Sequence, residues 1–242
     1  MRFLLDAKAD VCQQSALIVG QLMTSEGGHA LGPCPFAIDN GAFARFEPDK
    51  FRRLLCRCEP ARERCLFVAT PDVVGSARRT LEMFDIWNPK LEYWPRALVA
   101  QDGIEDLPIP WDQIAAVFIG GSTAWKESSA AADVVRAARI AELHVHVGRV
   151  NTIKRFTWFD DLGADTCDGT GVLMRGSRRF HEMLSAIQCG HRDDHPRLFD
   201  KKIINGCRDD QPDLVFGQKM GECQAGVSET SVGDALAAAG SE

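Results

Sequence analysis

Short apolar runs in this chain are each closed at the C-terminal end by a compact group of Asp, Gly, Asn, Gln or Thr, and no other feature limits the fold as much. Phe36–Ile38, Cys65–Ala69, Ala97–Ala100, Ala115–Ile119, His144–Val147 and a short run near Asp165–Cys167 read as strands buried on both faces. They lead into Asp39-Asn40-Gly41, Thr70-Pro71-Asp72, Gln101-Asp102-Gly103, Gly120-Gly121-Ser122, Gly148-Arg149-Val150-Asn151 and Asp168-Gly169-Thr170. Further strands at Phe3–Leu5 and Ala16–Val19 bring the expected count to eight, although the second reads equally well as part of a helix. Between the runs, Pro48–Cys58, Ser76–Trp87, Ser128–Leu143 and Ser177–Ile187 carry apolar residues at helical spacing.

Strands alternating with helices predict an α/β fold around a parallel sheet, here a TIM-type (β/α)8 barrel with some irregular units. In such a barrel the loops after the strands share one face, so residues distant in sequence converge on one pocket. Gly and Asp also make ordinary turns after strands, but six polar clusters in succession weaken that reading. The expected organisation is a catalytic barrel over residues 1–190 and a C-terminal extension over 191–242. From Gln224 the sequence is small, polar and Ala-rich, and part of this extension is expected to be disordered.

Composition excludes several classes. With 45% hydrophobic and 26% charged residues and a net charge of −6, the chain has an ordinary soluble make-up, and overall charge gives no argument for phosphate binding. No run approaches a membrane span, and Asp6 interrupts the start before a signal-type apolar region can form. Nine cysteines with no regular framework point to reduced thiols and a cytoplasmic location, that of the host if the chain is phage-encoded.

Asp39, Asp72 and Asp168 each follow an apolar strand and would bring three carboxylates to a common mouth, able to act as nucleophile, general acid or metal ligand. His144 and His146 alternate within a strand and so share a face, which suits core or hydrogen-bonded histidines better than metal ligands. No Cys-x-x-Cys pair exists, and Cys189, His191, His195 and Cys207 lack zinc-site spacing. No metal and no cofactor are expected. Gly120-Gly121-Ser122 permits close backbone approach to a planar or phosphorylated ligand without matching a phosphate-binding fingerprint. Arg149, Asn151, Lys126 and Arg175 could hold a phosphate, though lone basic residues on loops are more often solvated surface.

Taken in order over residues 36 to 175, these clusters resemble the barrel of the tRNA-guanine transglycosylases. They are closer still to the shorter DpdA-like relatives of phages and genomic islands, which insert 7-deazaguanines into DNA. Asp39-Asn40-Gly41-Ala42-Phe43 is similar to that superfamily's Asp-Ser-Gly-Gly-Phe/Tyr. Asp72 sits where an Asp reads the base, Val99-Ala100-Gln101-Asp102-Gly103 resembles its Val-Gln-Gly element with one residue inserted, and Phe118-Ile119-Gly120-Gly121-Ser122 matches its Ile-Gly-Gly turn. Gly163-Ala164-Asp165-Thr166-Cys167-Asp168 is similar to the segment that delivers the nucleophilic Asp. Gly169-Thr170-Gly171 replaces the Pro-Thr-Arg of the tRNA enzymes, and their zinc pattern is missing, which turns the resemblance toward the DNA-directed relatives.

The resemblance implies a pentosyltransferase that exchanges guanine in DNA for a 7-deazaguanine, with 7-cyano-7-deazaguanine the favoured base. Asp168 would be the nucleophile and Asp39 the general acid/base. Asp72, Gln101, Asn40, Gly120 and Gly121 would bind the base. Implied partners are nucleic acid, DNA ahead of tRNA, and the free base, with a partner subunit or a homodimer left open and no membrane. Two alternatives stay open: the same chemistry on tRNA, and a non-catalytic nucleic-acid-binding subunit of a modification complex.

Overall fold

A computed structural model of the chain describes residues 1–8 and 15–169 together with Leu184, Ser185 and Ile187. Eight parallel strands close into a barrel in sequence order: β1 (Arg2–Leu5), β2 (Ile18–Met23), β3 (Phe36–Ile38), β4 (Cys65–Ala69), β5 (Arg96–Ala100), β6 (Ala116–Ile119), β7 (His144–Val147) and β8 (Thr166–Cys167). Closure is made by Arg2 and Phe3 of β1 lying beside Thr166 and Cys167 of β8. The predicted α/β, TIM-type barrel is the observed fold. Among the described residues no helix is long and apolar enough to cross a membrane. The expected helix Ser177–Ile187, the expected extension from residue 191 and the Cys189–Cys207 cluster lie outside the described residues, apart from Leu184, Ser185 and Ile187.

The outer helices form where local sequence and burial agree. In α1 (Pro48–Cys58), Pro48 occupies the first turn, where its missing N–H costs nothing, and Phe51, Leu54 and Cys58 bury one face. Ala77, Thr80, Phe84 and Trp87 do the same in α2 (Ala77–Trp87). The short α3 (Thr123–Lys126) is capped by the Ser122 hydroxyl, which accepts from the Trp125 N–H at 3.1 Å. Ser128 caps α4 (Ser129–Ile140) through the Ala131 N–H, and Thr152 caps α5 (Ile153–Asp161) through the Arg155 N–H.

Alternation along the strands sorts side chains into two layers. Outward-facing Phe3, Leu98, Val117, Val145 and Cys167 join Val134, Val135 and Phe156 of the helices in the core between sheet and helices. Inward-facing Leu4, Leu22, Ala37, Phe67, Ala69, Ala97, Val99, Ala116 and Phe118 fill the barrel, its small alanines leaving room for two phenyl rings. The filling is uneven. From β7 and β8 the inward residues are His144, His146 and Thr166, with His146 wholly buried against Phe67 and Phe118 at ring separations of 5.0 and 4.5 Å. One side of an otherwise apolar barrel interior is therefore polar.

The expected second strand, Ala16–Val19, is displaced: the strand is β2, two residues later in its start and extending to Met23. The sequence obscures it because Gly20 and Gln21 break the apolar run. Gly20 packs so closely that a Cβ there would lie 1.8 Å from the Pro35 carbonyl oxygen. Gln21, fully buried, is satisfied by the backbone: its amide donates to Ala7 and Ala30 carbonyls at 2.9 and 3.1 Å and accepts from the Gly32 N–H at 2.7 Å.

Candidate active site

The loops after β3, β4, β5 and β8 bring the sequence-predicted carboxylates and amides to one mouth. Asp39 lies one residue past β3, and its Oδ1 accepts the Gly41 N–H at 3.1 Å. Loss of hydration drives its pKa up to about 6; the Gly41 hydrogen bond opposes this, and the charges of Asp168 and Asp72 add to the rise. Asp39 and Asp168 thus sense one another across the barrel mouth.

Asp72 is the centre of a buried amide–carboxylate network. Asn40 donates from Nδ2 to its Oδ1 at 2.8 Å and to the Thr70 carbonyl at 2.7 Å, and Gln101 donates from Nε2 to its Oδ2 at 2.7 Å. The Gln101 carbonyl oxygen is itself held by the Gly75 N–H at 2.9 Å. Burial pushes the Asp72 carboxyl up, while the two amide hydrogen bonds pull it back. Three residues singled out from the sequence are therefore one unit, in which Asn40 and Gln101 hold Asp72.

The N–H groups of Gly120 and Gly121 both donate to the Ala100 carbonyl, at 2.9 and 3.1 Å, as the chain turns tightly over the end of β5. Their carbonyls accept from Arg149 Nη2 at 2.9 and 2.6 Å. Glycine is required at 121, where a Cβ would come within 2.5 Å of Trp125 and Asp102 atoms.

Asp168 follows β8 and is buried to 8% exposure, with both carboxylate oxygens engaged. Oδ1 accepts the Arg149 N–H at 2.8 Å and Oδ2 lies 3.2 Å from His146 Nε2. A carboxylate gripped on both oxygens is fixed in plane and direction, as a nucleophile or a base requires.

Three residues around Asp168 were not assigned to the site from the sequence. His146 was read as a core or hydrogen-bonded histidine, and it is both, but the bond to Asp168 could not be foreseen. Lys126, read as solvated surface, is wholly buried: Nζ donates to the Gly148 carbonyl at 2.7 Å, and desolvation, aided by the Arg149 charge, lowers its pKa to about 7. Burial of the end of α3, invisible in a four-residue segment, reverses that expectation. Arg149 adopts a positive φ of 61°, uncommon for a residue with a Cβ, and is tied down by its bonds to Asp168, Gly120 and Gly121. Its guanidinium lies 4.6 Å from the centre of the Phe43 ring, which is 70% exposed. Among the described residues no group of three or more His, Cys, Asp and Glu side chains is disposed to hold a metal ion.

No family model and no curated protein matches the chain. Among solved structures it is similar to a standalone versatile EAL protein from Vibrio cholerae O395 in its c-di-GMP-bound form, with 10% identity and a TM-score of 0.33 over 57% of this chain and 62% of that one. It is also similar to the Bacillus subtilis YkuI protein, which has an EAL domain and is in complex with c-di-GMP and calcium. There the identity is 12% and the TM-score 0.34, over 64% of this chain and 44% of the other. The chain thus spans less than two thirds of either protein, and likenesses of this size carry no statement about its chemistry.

Proposed function

We propose that the protein is a base-exchange transglycosylase, replacing guanine in DNA by a 7-deazaguanine through a covalent intermediate on Asp168. The observation that carries the reading is the pairing of two unlike carboxyl groups at one mouth. Asp39, with a pKa of about 6, can carry and release a proton near neutrality, whereas Asp168 is aimed by donors on both oxygens.

In the first half-reaction an Asp168 oxygen attacks C1′ of the extruded nucleotide as the bond to guanine N9 breaks. The bond's electron pair leaves with the base, and protonated Asp39 supplies the compensating proton. In the second half, Asp39 takes the N9 proton of the incoming 7-deazaguanine, whose nitrogen attacks C1′ and displaces Asp168, restoring the original stereochemistry. Asp72, presented by Asn40 and Gln101, would accept from the N1–H and 2-amino group of the base. Such a site disfavours a base lacking those donors because whatever replaces them faces the Asp72 carboxylate with no hydrogen to offer.

The test is incubation of the purified protein with labelled 7-cyano-7-deazaguanine and, separately, guanine-containing duplex DNA or tRNA. Label in DNA that disappears in Asp168→Ala is expected. Label confined to tRNA moves the reaction to that polymer, and label in neither, with no adduct at Asp168, rejects transglycosylation by this chain.

A further inference from the structure

The polar side of the barrel interior is one continuous line of hydrogen-bonding groups. His144 Nε2 lies 2.8 Å from Thr166 Oγ1, Thr166 Oγ1 lies 2.9 Å from His146 Nδ1, and His146 Nε2 lies 3.2 Å from Asp168 Oδ2. We infer that these four side chains form a directional hydrogen-bond chain that positions Asp168 and reverses when residue 168 becomes a donor. The chain stands on this geometry alone. The importance of His146 as a positioning residue in catalysis rests on Asp168 being the nucleophile.

The direction follows from donor counting. An ionised carboxylate only accepts, so the hydrogen between Asp168 and His146 belongs to Nε2. In the neutral ring Nδ1 is then an acceptor, and the Thr166 hydroxyl must donate to it. That hydroxyl has a single hydrogen, so its oxygen faces His144 as an acceptor, and His144 carries hydrogen on Nε2, while its Nδ1 lies 3.9 Å from Asp165 Oδ2. Burial of His146 between Phe67 and Phe118 keeps the ring in place, so the protons can rearrange while the heavy atoms stay.

Asp168→Asn reverses every link. The Arg149 N–H, 2.8 Å from Oδ1, demands the amide oxygen at that position, which turns the amide NH2 toward His146. His146 Nε2 must then accept, its hydrogen moves to Nδ1 and points at Thr166, and the Thr166 hydroxyl turns to donate to His144 Nε2. One isosteric change in a loop is thereby expected to switch the tautomers of two histidines on a neighbouring strand. A residue that merely filled space would respond to none of this.

Long-range proton–nitrogen correlation on protein with 15N-labelled histidine, recorded at pH 8, reads the tautomers directly. Hydrogen on Nε2 of both His144 and His146 is expected in the wild type, and on Nδ1 of both in Asp168→Asn. In Thr166→Val/Asp168→Asn, His146 is expected to switch while His144 no longer follows. A wild-type His146 that is cationic or protonated on Nδ1, or an Asp168→Asn protein with unchanged tautomers, overturns the chain. In the exchange assay, His146→Phe is expected to lower kcat about 100-fold or more with little change in KM, the loss typical of removing one well-placed donor. His146→Gln, whose amide nitrogen reaches toward the place of Nε2, is expected to restore most of it. Tautomers that switch in a protein that labels neither polymer uphold the chain and reject the transglycosylase, whereas labelling without the switch does the reverse.

Discussion

Asp39 holds its proton unusually well, and this has a thermodynamic cost that can be measured. Its folded pKa of about 6 exceeds the ordinary value of 3.8, so the folded protein binds more protons than the unfolded chain between those values. The favourable contribution is fully present below about pH 4 and is lost as pH rises through 6; above that the buried charge opposes folding by about 1–3 kcal/mol. Asp39→Asn is therefore expected to be more stable than the wild type at pH 8, with the advantage fading by pH 4, while base exchange collapses. Thermal unfolding of both proteins across that range checks the sign. Asp39, Asp72 and Asp168 were legible in the sequence because each terminates an apolar strand. His146, Lys126 and Arg149 were not, because their roles come from neighbours on other strand ends: Asp168 after β8 for His146, the Gly148 carbonyl after β7 for Lys126, and the paired carbonyls of Gly120 and Gly121 after β6 for Arg149.

Elements with one consistent periodicity were readable to their ends, as β3, β4, β7 and α1 show. Elements whose pattern is broken for a tertiary reason were not. The β2 strand hides behind Gly20 and Gln21, and α5 buries Phe156 and Phe159 but leaves Ile153 and Trp158 exposed, which blurs its apolar stripe. The same close approach that obscured β2 makes a prediction. Gly20→Ala must displace the Pro35 backbone and is expected to cost about 2–4 kcal/mol, whereas Gly28→Ala, with nothing within 4 Å of the added carbon, stays within about 0.5 kcal/mol. Denaturant unfolding of the two variants separates a β2–β3 packing constraint from a general aversion to losing glycine.

At the scale of the whole barrel, closure places every strand end at the same mouth, which is why Asp39, Asp72, Gln101 and Asp168, each read at a strand end, share one face. It also makes the interior a single packing unit. Phe67 touches Phe118, His144 and His146 together, so Phe67→Ala is expected to cost about 3–5 kcal/mol, measured as a fall in unfolding free energy without loss of the barrel's circular-dichroism signature. The barrel has a further consequence for traffic through its entrance. Phe43 and Arg149 come from the loops after β3 and β7, strands on opposite sides of the eight-membered ring, so their contact is a latch laid across a doorway. An exposed cation–ring contact is worth about 0.5–1 kcal/mol, so by itself this latch would stand open roughly a sixth to a third of the time. A visitor arriving at the doorway would seldom wait long for it to part, and one already inside would be retained only weakly by it; residence in the pocket must depend on what grips the visitor within.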